Sequence, residues 1–270
     1  MTASAPVIAK EFAAAGRAVP LRLVPQDAAP RTSSVAPLKT QCSTCHLRDL
    51  CLPCGMTGND VARLDDLEFA RRRVKAGETL YQEGDKFQYI YAVRSGTFKS
   101  TLNLKDGREQ VTGFQMAGEL LGLDGLASGS HASSAVALED AEICAIPYAH
   151  LSDVAATSPD LQHVISRLMS REIVREHSLM LMLGSMNAEE RLAAFLLNLS
   201  SRLKARGFSA SEFHLRMSRA EIGSYLGMKL ETVSRTFSAF VGQGLLTVDK
   251  KHIRIVDVRV LQQAFDLRVR

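Results

Sequence analysis

The stretch QCSTCHLRDLCLPCG, residues 41–55, holds four of the chain's five cysteines within thirteen positions. Sulfurs that close together in sequence converge on one place, so the segment has to fold as a compact loop around its own thiols. Three chemistries suit such a loop: a disulfide knot, a structural zinc site, or an iron–sulfur cluster. The first twenty residues, MTASAPVIAKEFAAAGRAVP, break their short apolar stretch at Lys10 and Glu11 and lack the core of a secretion signal. No apolar run approaches the ~20 residues that cross a bilayer. The chain therefore reads as cytoplasmic, with no membrane contact. Thiols stay reduced in that compartment, which disfavours the knot and favours metal or redox chemistry.

At 270 residues the chain is long enough for two domains, and its 46% apolar and 23% charged residues suit a globular protein. Residues 1–40, rich in Ala, Pro and Ser, read as a flexible tail. From about Leu64 to Pro147 short, partly alternating runs are separated by Gly84, Gly96, Gly107 and Gly118. Strands with Gly turns at such spacing predict a β-sandwich or jelly-roll β-barrel. A long helix is predicted from about Pro159 to Gly184. Along it Ser166, Met169, Ile173, Glu176, Met180, Leu183 and Asn187 recur at steps of three and four. That spacing is a coiled-coil seam and predicts a helix that pairs with its own copy, hence a homodimer. The plainer alternative is an amphipathic helix packed on its own barrel. In a parallel pair Glu176 faces its symmetry mate, so the seam carries a built-in repulsion that a modest signal could override.

Charge is unevenly placed. Residues 61–187 carry 13 Lys and Arg against 17 Asp and Glu, whereas residues 188–270 carry 14 against 8. A basic end module suits a polyanionic partner. The sequence there is specific. In MSRAEIGSYLGMKLETVSRTFSAFVGQGLLTVDKKHIRIVD, Ser218 with Glu221 forms a capping box. Ala220, Ile222, Tyr225 and Leu226 give that helix an apolar face, and Gly227 ends it. A second helix runs from about Leu230 to Val241, and Leu245–Val248 with His252–Val256 form a hairpin. Two short helices across a Gly turn, then a hairpin, predict a winged helix-turn-helix. Glu231, Ser234 and Arg235 share one face of the second helix, with Thr232 beside them. Arg matches guanine O6/N7, Glu accepts from cytosine N4, and Ser contacts a neighbouring base. A solvated face with one Glu–Arg pair is the ordinary alternative.

Barrel, dimer helix and winged helix-turn-helix, in that order, resemble the CRP/FNR superfamily of bacterial transcription regulators over about residues 41–258. The nearest likeness is to its oxygen-sensing branch, the fumarate and nitrate reduction regulators. CSTCHLRDLC, EICAIP, NAEERLAAFLLNLSSR and LETVSR carry the resemblance. The implied fold is α+β: an N-terminal cysteine loop, a jelly-roll, cyclic-nucleotide-binding-like sensor barrel, a long dimerisation helix and a C-terminal winged helix-turn-helix. The implied boundaries are 41–158 for loop and barrel, 159–187 for the dimer helix, 188–258 for the DNA-binding module and 259–270 for a tail. The resemblance implies a [4Fe–4S] cluster on Cys42, Cys45, Cys51 and Cys144, one thiolate per iron, with Cys54 a bystander. The implied activity is an oxygen-responsive regulator that binds symmetric double-stranded DNA with TTGAT-like half-sites as a dimer. It would recruit RNA polymerase through barrel loops such as Lys105–Gln110.

A four-thiolate zinc loop of Cys42, Cys45, Cys51 and Cys54 is the competing reading, and with it a regulator that answers another signal. Five residues between its cysteine pairs is short for such sites, which usually have about 15–20. The superfamily's other ligand class is cyclic nucleotides, gripped through an Arg after a GE-x-L motif. This chain keeps Gly118-Glu119-Leu120 but has Ser133 where that Arg stands, so no cyclic nucleotide is expected. No phosphate-binding Gly loop, carboxylate pair or nucleophile elbow suggests an enzyme. An electron carrier would leave the winged helix-turn-helix without purpose.

Overall fold

The computed structural model describes residues 41–265 except 68 and 105. The expected tail over 1–40, Lys105 of the proposed polymerase loop, and residues 266–270 lie outside the described residues. After the cysteine loop comes α1 (Gly58–Asp65), then β1 (Ala70–Val74), β2 (Thr79–Tyr81), β3 (Tyr89–Ser95), β4 (Thr97–Asn103), β5 (Glu109–Met116), β6 (Leu120–Leu121), β7 (Ser134–Ala137) and β8 (Ala141–Pro147). These strands form two facing four-stranded sheets, ordered β1-β8-β3-β6 and β2-β7-β4-β5. Their pairings are antiparallel, and the arrangement is a jelly roll.

Strand alternation decides what each face of the first sheet meets. Side chains along a strand point alternately to opposite faces. On β3 and β8, Tyr91, Val93, Ile143 and Ala145 enter the sandwich interior with Phe98 and Leu121. The intervening Ile90, Ala92, Cys144 and Ile146 point outward, where they pack with Leu52, Met56, Val61, Leu64, Leu161 and Val164. Both faces are therefore buried, and these strands read as near-continuous apolar runs. Gly118, at φ +86°, marks the closest approach of the cysteine loop: a Cβ there would lie 2.8 Å from the Leu50 Cβ. Its left-handed backbone and that contact both require glycine.

Two helices follow the barrel, α2 (Tyr148–Thr157) and α3 (Pro159–Ser185). Ser158 caps α3 through the Leu161 amide, with Pro159 at its first turn. The C-terminal module comprises α4 (Ala188–Ala205), β9 (Glu212–His214), α5 (Arg219–Leu226), α6 (Leu230–Gly242), β10 (Leu246–Asp249), β11 (His252–Ile255) and α7 (Val258–Ala264). The expected capping box of Ser218 and Glu221 is present, and Gly227 closes α5 in the left-handed conformation. Asn187 and Glu190 form a second box at α4.

Three readings of detail change. The stretch expected as a tail after residue 258 begins with α7, capped by Asp257, with Leu261 fully buried and Phe265 packed at a tilt against Phe240, ring centroids 5.2 Å apart. About two turns of helix are too short for periodicity to reveal. Ala220 is exposed and does not join the α5 core. Gln110 is half-buried, donating to the Ser224 carbonyl, while the Val111 amide donates to Ser224 Oγ at 2.8 Å. The β4–β5 hairpin thus rests on the helix-turn-helix.

Glu119 ties barrel, long helix and C-terminal module together. Its carboxylate accepts from Arg202 Nε at 3.0 Å and Arg206 Nη2 at 2.7 Å, both on or next to α4. Arg175 of α3 approaches to 3.8 Å, and the Met116 amide donates at 3.1 Å. Burial alone would raise the Glu119 carboxyl, but Arg202, Arg175 and Arg206 hold it below its usual range. The stability it contributes is present above the unfolded carboxyl value of ~4.3 and is lost as pH falls through the lowered native value. Glu119→Ala leaves two guanidiniums crowded without their counter-charge and is expected to cost about 3–5 kcal/mol in denaturant unfolding near neutral pH. The variant should also lose less stability than the wild type on acidification. An unchanged unfolding midpoint would show that Glu119 does not hold the modules together.

Candidate functional site

The cysteine loop is a chain of tight turns. The Cys45 amide donates to the Cys42 carbonyl at 3.3 Å, Arg48 to Cys45 at 3.1 Å, Cys51 to Leu47 at 2.9 Å and Cys54 to Cys51 at 3.0 Å. Leu47 and Leu52 are buried and anchor the loop on the barrel. At its start the Asp65 carboxylate, at the end of α1, accepts from the Cys42 and Ser43 amides. Its one sequence signal is an acid at the end of a helix too short for periodicity to mark.

The loop is laid over the outward face of β8, where Cys144 points. Cys42 and Cys51 pack on the same apolar cluster as Cys144, together with Leu161 and Val164 of α3. Burial pushes the Cys42 and Cys51 thiols up to about 12. Mutual repulsion among neighbouring thiolates adds to this: both feel Cys45 and Cys144, and Cys51 also feels Cys54. Arg94 of β3 reaches Cys45 Sγ at 3.6 Å and Glu142 at 3.5 Å. The four thiols named from the sequence are thus drawn together, whereas His46 is exposed. Among the described residues no group of three or more His, Cys, Asp or Glu side chains is arranged to hold a single metal ion. A cubane fills the space between its ligands with its own iron and sulfide, so its thiolates stand farther apart than those around one ion. A convergent, all-thiol donor set, half-buried at Cys42, Cys45 and Cys51 and buried at Cys144, fits such a group.

On α3 one face is buried and the others are open, with Val174 and Leu181 also exposed off the expected seam. Leu161, Val164, Leu179 and Met182 are buried against the protein's own core. Met169, Ile173 and Met180 stand 43%, 54% and 59% exposed on another face, beside Glu176. A stripe of large apolar residues left in water marks an association surface. Leu183 departs from the pattern: it is half-buried near Gly227 of the helix-turn-helix. Burial and the neighbouring Glu172 push the Glu176 carboxyl above its usual range, with Arg175 opposing.

Between barrel and α3 lies a cavity of about 570 Å³, lined by Tyr81, Gln115, Asp124, Ser133, Glu172 and Glu176 among others. Its anion-binding donors are already engaged. The Asp124 carboxylate accepts from the Ala132 and Ser133 amides at 2.9 and 2.8 Å and from Ser133 Oγ at 2.8 Å. His131 is buried, stacked on Tyr81 at 3.8 Å.

In the C-terminal module Val233, Thr236, Phe237 and Phe240 bury one face of α6. Glu231, Ser234 and Arg235 are exposed on the other, and Thr232 is half-buried with its carbonyl bonded by Thr236 Oγ1. Exposed Lys229, Lys250, Lys251 and Arg254 flank this face, Lys250 holding the hairpin turn at φ 54°. One residue was missed. Arg219, directly after the cap, lays its guanidinium 3.2 Å over the Phe237 ring, and its Nη1 has no partner. Burial lowers that guanidinium to about 10.

Comparison with known proteins agrees with this architecture. Residues 71–158 match the model of the cyclic nucleotide-binding domain, and residues 190–264 that of the Crp-like helix-turn-helix domain. The chain is 47% identical over 233 residues to transcriptional regulatory protein btr of Bordetella pertussis, covering 86% of this chain and 96% of that protein. It is 42% identical over 222 residues to the fumarate and nitrate reduction regulatory protein of Escherichia coli, covering 82% and 89%. Among solved structures, FixK2 from Bradyrhizobium japonicum aligns with a TM-score of 0.69 at 30% identity, covering 75% of this chain and 99% of that one.

Proposed function

The chain belongs to the CRP/FNR family of DNA-binding transcription regulators, and from that membership we propose that it is an oxygen sensor reading its signal through Cys42, Cys45, Cys51 and Cys144. The observation that carries this reading is the outward turn of Cys144 on β8, which sets its thiol against the loop thiols at the head of α3. A [4Fe–4S] cluster bound there supplies an oxygen-labile centre that takes one thiolate on each iron. With the thiols engaged, the loop is pinned to the barrel and packs Leu52 and Met56 against Leu161 and Val164. That fixes the first turns of α3 and offsets the repulsion between paired Glu176 carboxylates. Met169, Ile173 and Met180 then close on their copies. Two α6 helices come to lie ~34 Å apart, one turn of DNA, over symmetric TTGAT-like half-sites. Release of the four thiols would remove this shared anchor, part the seam and free the DNA.

The Asp124 carboxylate engages the Ala132 and Ser133 amides and the Ser133 hydroxyl, and Glu172 and Glu176 line the same cavity, so a phosphate there would meet carboxylates, which supports an absence of nucleotide control. We place the protein in the cytoplasm; none of the described helices is long and apolar enough to cross a membrane. Exposed Asp106 and Arg108, joined at 2.7 Å on the β4–β5 hairpin, offer a surface to RNA polymerase.

Anaerobic purification with iron and sulfide assay tests the site. Ser at Cys42, Cys45, Cys51 or Cys144 should each abolish the bound iron and anaerobic DNA binding, and Cys54→Ser should do neither. A colourless protein with one tight zinc, dependent on Cys54 and indifferent to Cys144, would overturn the reading. Glu176→Ala removes a like-charge pair from an apolar seam, so the dimer should tighten by roughly 1 kcal/mol or more, and DNA should bind partly in air. Sedimentation in air that leaves the variant as monomeric as the wild type would remove Glu176 from the mechanism. Arg235→Ala should cost ~1–3 kcal/mol per half-site and relax preference at one base pair. Loss of Lys229 or Lys250 should instead weaken all sequences alike and flatten the salt dependence. A half-site library at fixed salt separates the two; uniform weakening by Arg235→Ala would make it a backbone contact.

A further inference from the structure

Arg167 lies on α3 between the buried Val164 and Leu168 side and the exposed Met169, and no sequence signal singles it out. Its Nη2 donates to the carbonyl of Cys54. The guanidinium also lies flat against Gly55, where a Cβ would come within 2.9 Å of both terminal nitrogens. Gly55 holds φ +77°, so backbone and space both specify glycine. The Nε of Arg167 is buried without a partner. A guanidinium held this way keeps its position only while the carbonyl is there to accept from it, because unsatisfied buried donors are costly.

That carbonyl is not independent of the thiol site. The Cys54 amide donates to the Cys51 carbonyl at 3.0 Å, and the Met56 amide donates to Pro53 at 3.0 Å. Cys51 and the Cys54 carbonyl are thus two ends of one hydrogen-bonded turn. Fixing the Cys51 sulfur fixes the acceptor that Arg167 uses. On the helix, Arg167 directly follows Ser166 and precedes Met169 by two residues, both of the exposed seam.

We propose that Arg167 is the positioning residue that passes the state of the cysteine loop to the dimer seam, through its hydrogen bond to the Cys54 carbonyl and its contact with Gly55. This rests on the reading of the thiol site given above. It also gives the segment around Cys54 a purpose that does not involve its sulfur: the backbone there is the helix's handle on the loop.

The test is the dimer dissociation constant of the full chain, measured by sedimentation in the cluster-loaded state and again after the cluster is removed, with loading followed by absorbance and iron content. The wild-type ratio of the two constants is the coupling. Arg167→Gln should lower that ratio at least tenfold while the emptied protein dimerises as the wild type does, and Arg167→Lys should restore part of it. Gly55→Ala, which displaces the guanidinium from the other side, should act like Arg167→Gln and decides the matter if the latter cannot be loaded. An unchanged ratio in a loaded Arg167→Gln protein overturns the proposal. So does equal weakening of loaded and emptied dimers, which would make Arg167 a support of the helix and nothing more. A wild-type protein free of iron and sulfide would instead overturn the reading of the site, and this inference with it.

Discussion

Everything in this molecule depends on covering the outer face of one sheet. Strands β3 and β8 carry apolar side chains on both sides, and an uncovered apolar face of that kind costs about 25 cal/mol for each Å² left in water. The cover is assembled from the cysteine loop, α1, α2 and the first turns of α3. The cysteine loop and the head of the long helix are therefore parts of one lid on one sheet. Neither can shift without disturbing the packing of the other, so a displacement of the loop is felt at the head of α3.

A second constraint joins the barrel to the rest of the chain. Glu119 accepts from Arg202 and Arg206 of the C-terminal module, with Arg175 of the long helix 3.8 Å away. Three cations around one carboxylate make a junction that is expensive to open, because Arg202 and Arg206, both largely buried, lose their counter-charge on leaving it. The β4–β5 hairpin adds neutral hydrogen bonds to α5 through Gln110 and Val111. Barrel, α3 and the DNA-reading head consequently move as coupled bodies.

Much of this was legible in the amino-acid order. The Gly84, Gly96, Gly107 and Gly118 turns were visible because each adopts a positive φ that favours glycine. The boundaries of α5 followed from Ser218, Glu221 and Gly227, whose capping roles are local chemistry. The exposed stripe of Met169, Ile173 and Met180 followed from a spacing of three and four. What was not legible lacked a local signature. The α7 helix is short and defined by Leu261 reaching a core made elsewhere. Glu119 belongs to a motif suggestive of nucleotide binding, and only the folded chain brings Arg202 and Arg206 to it.

The sequence by itself determined which residue types stand at which spacing: thiols in a tight loop, alternation in the strands, caps and a polar face on α6. Each of these is set by interactions within a few residues, where covalent geometry and backbone preference act directly. Tertiary structure alone decided which distant groups meet. Cys144 lies 93 positions beyond Cys51, and only the odd–even parity of β8 combined with the docking of the loop puts both in one cluster. Arg167 and the Cys54 carbonyl, or Asp124 and the Ser133 amide, are pairings of the same kind. They form because burial of apolar surface closes the chain on itself, and the polar groups carried inside must then find partners among whatever that closure brings near.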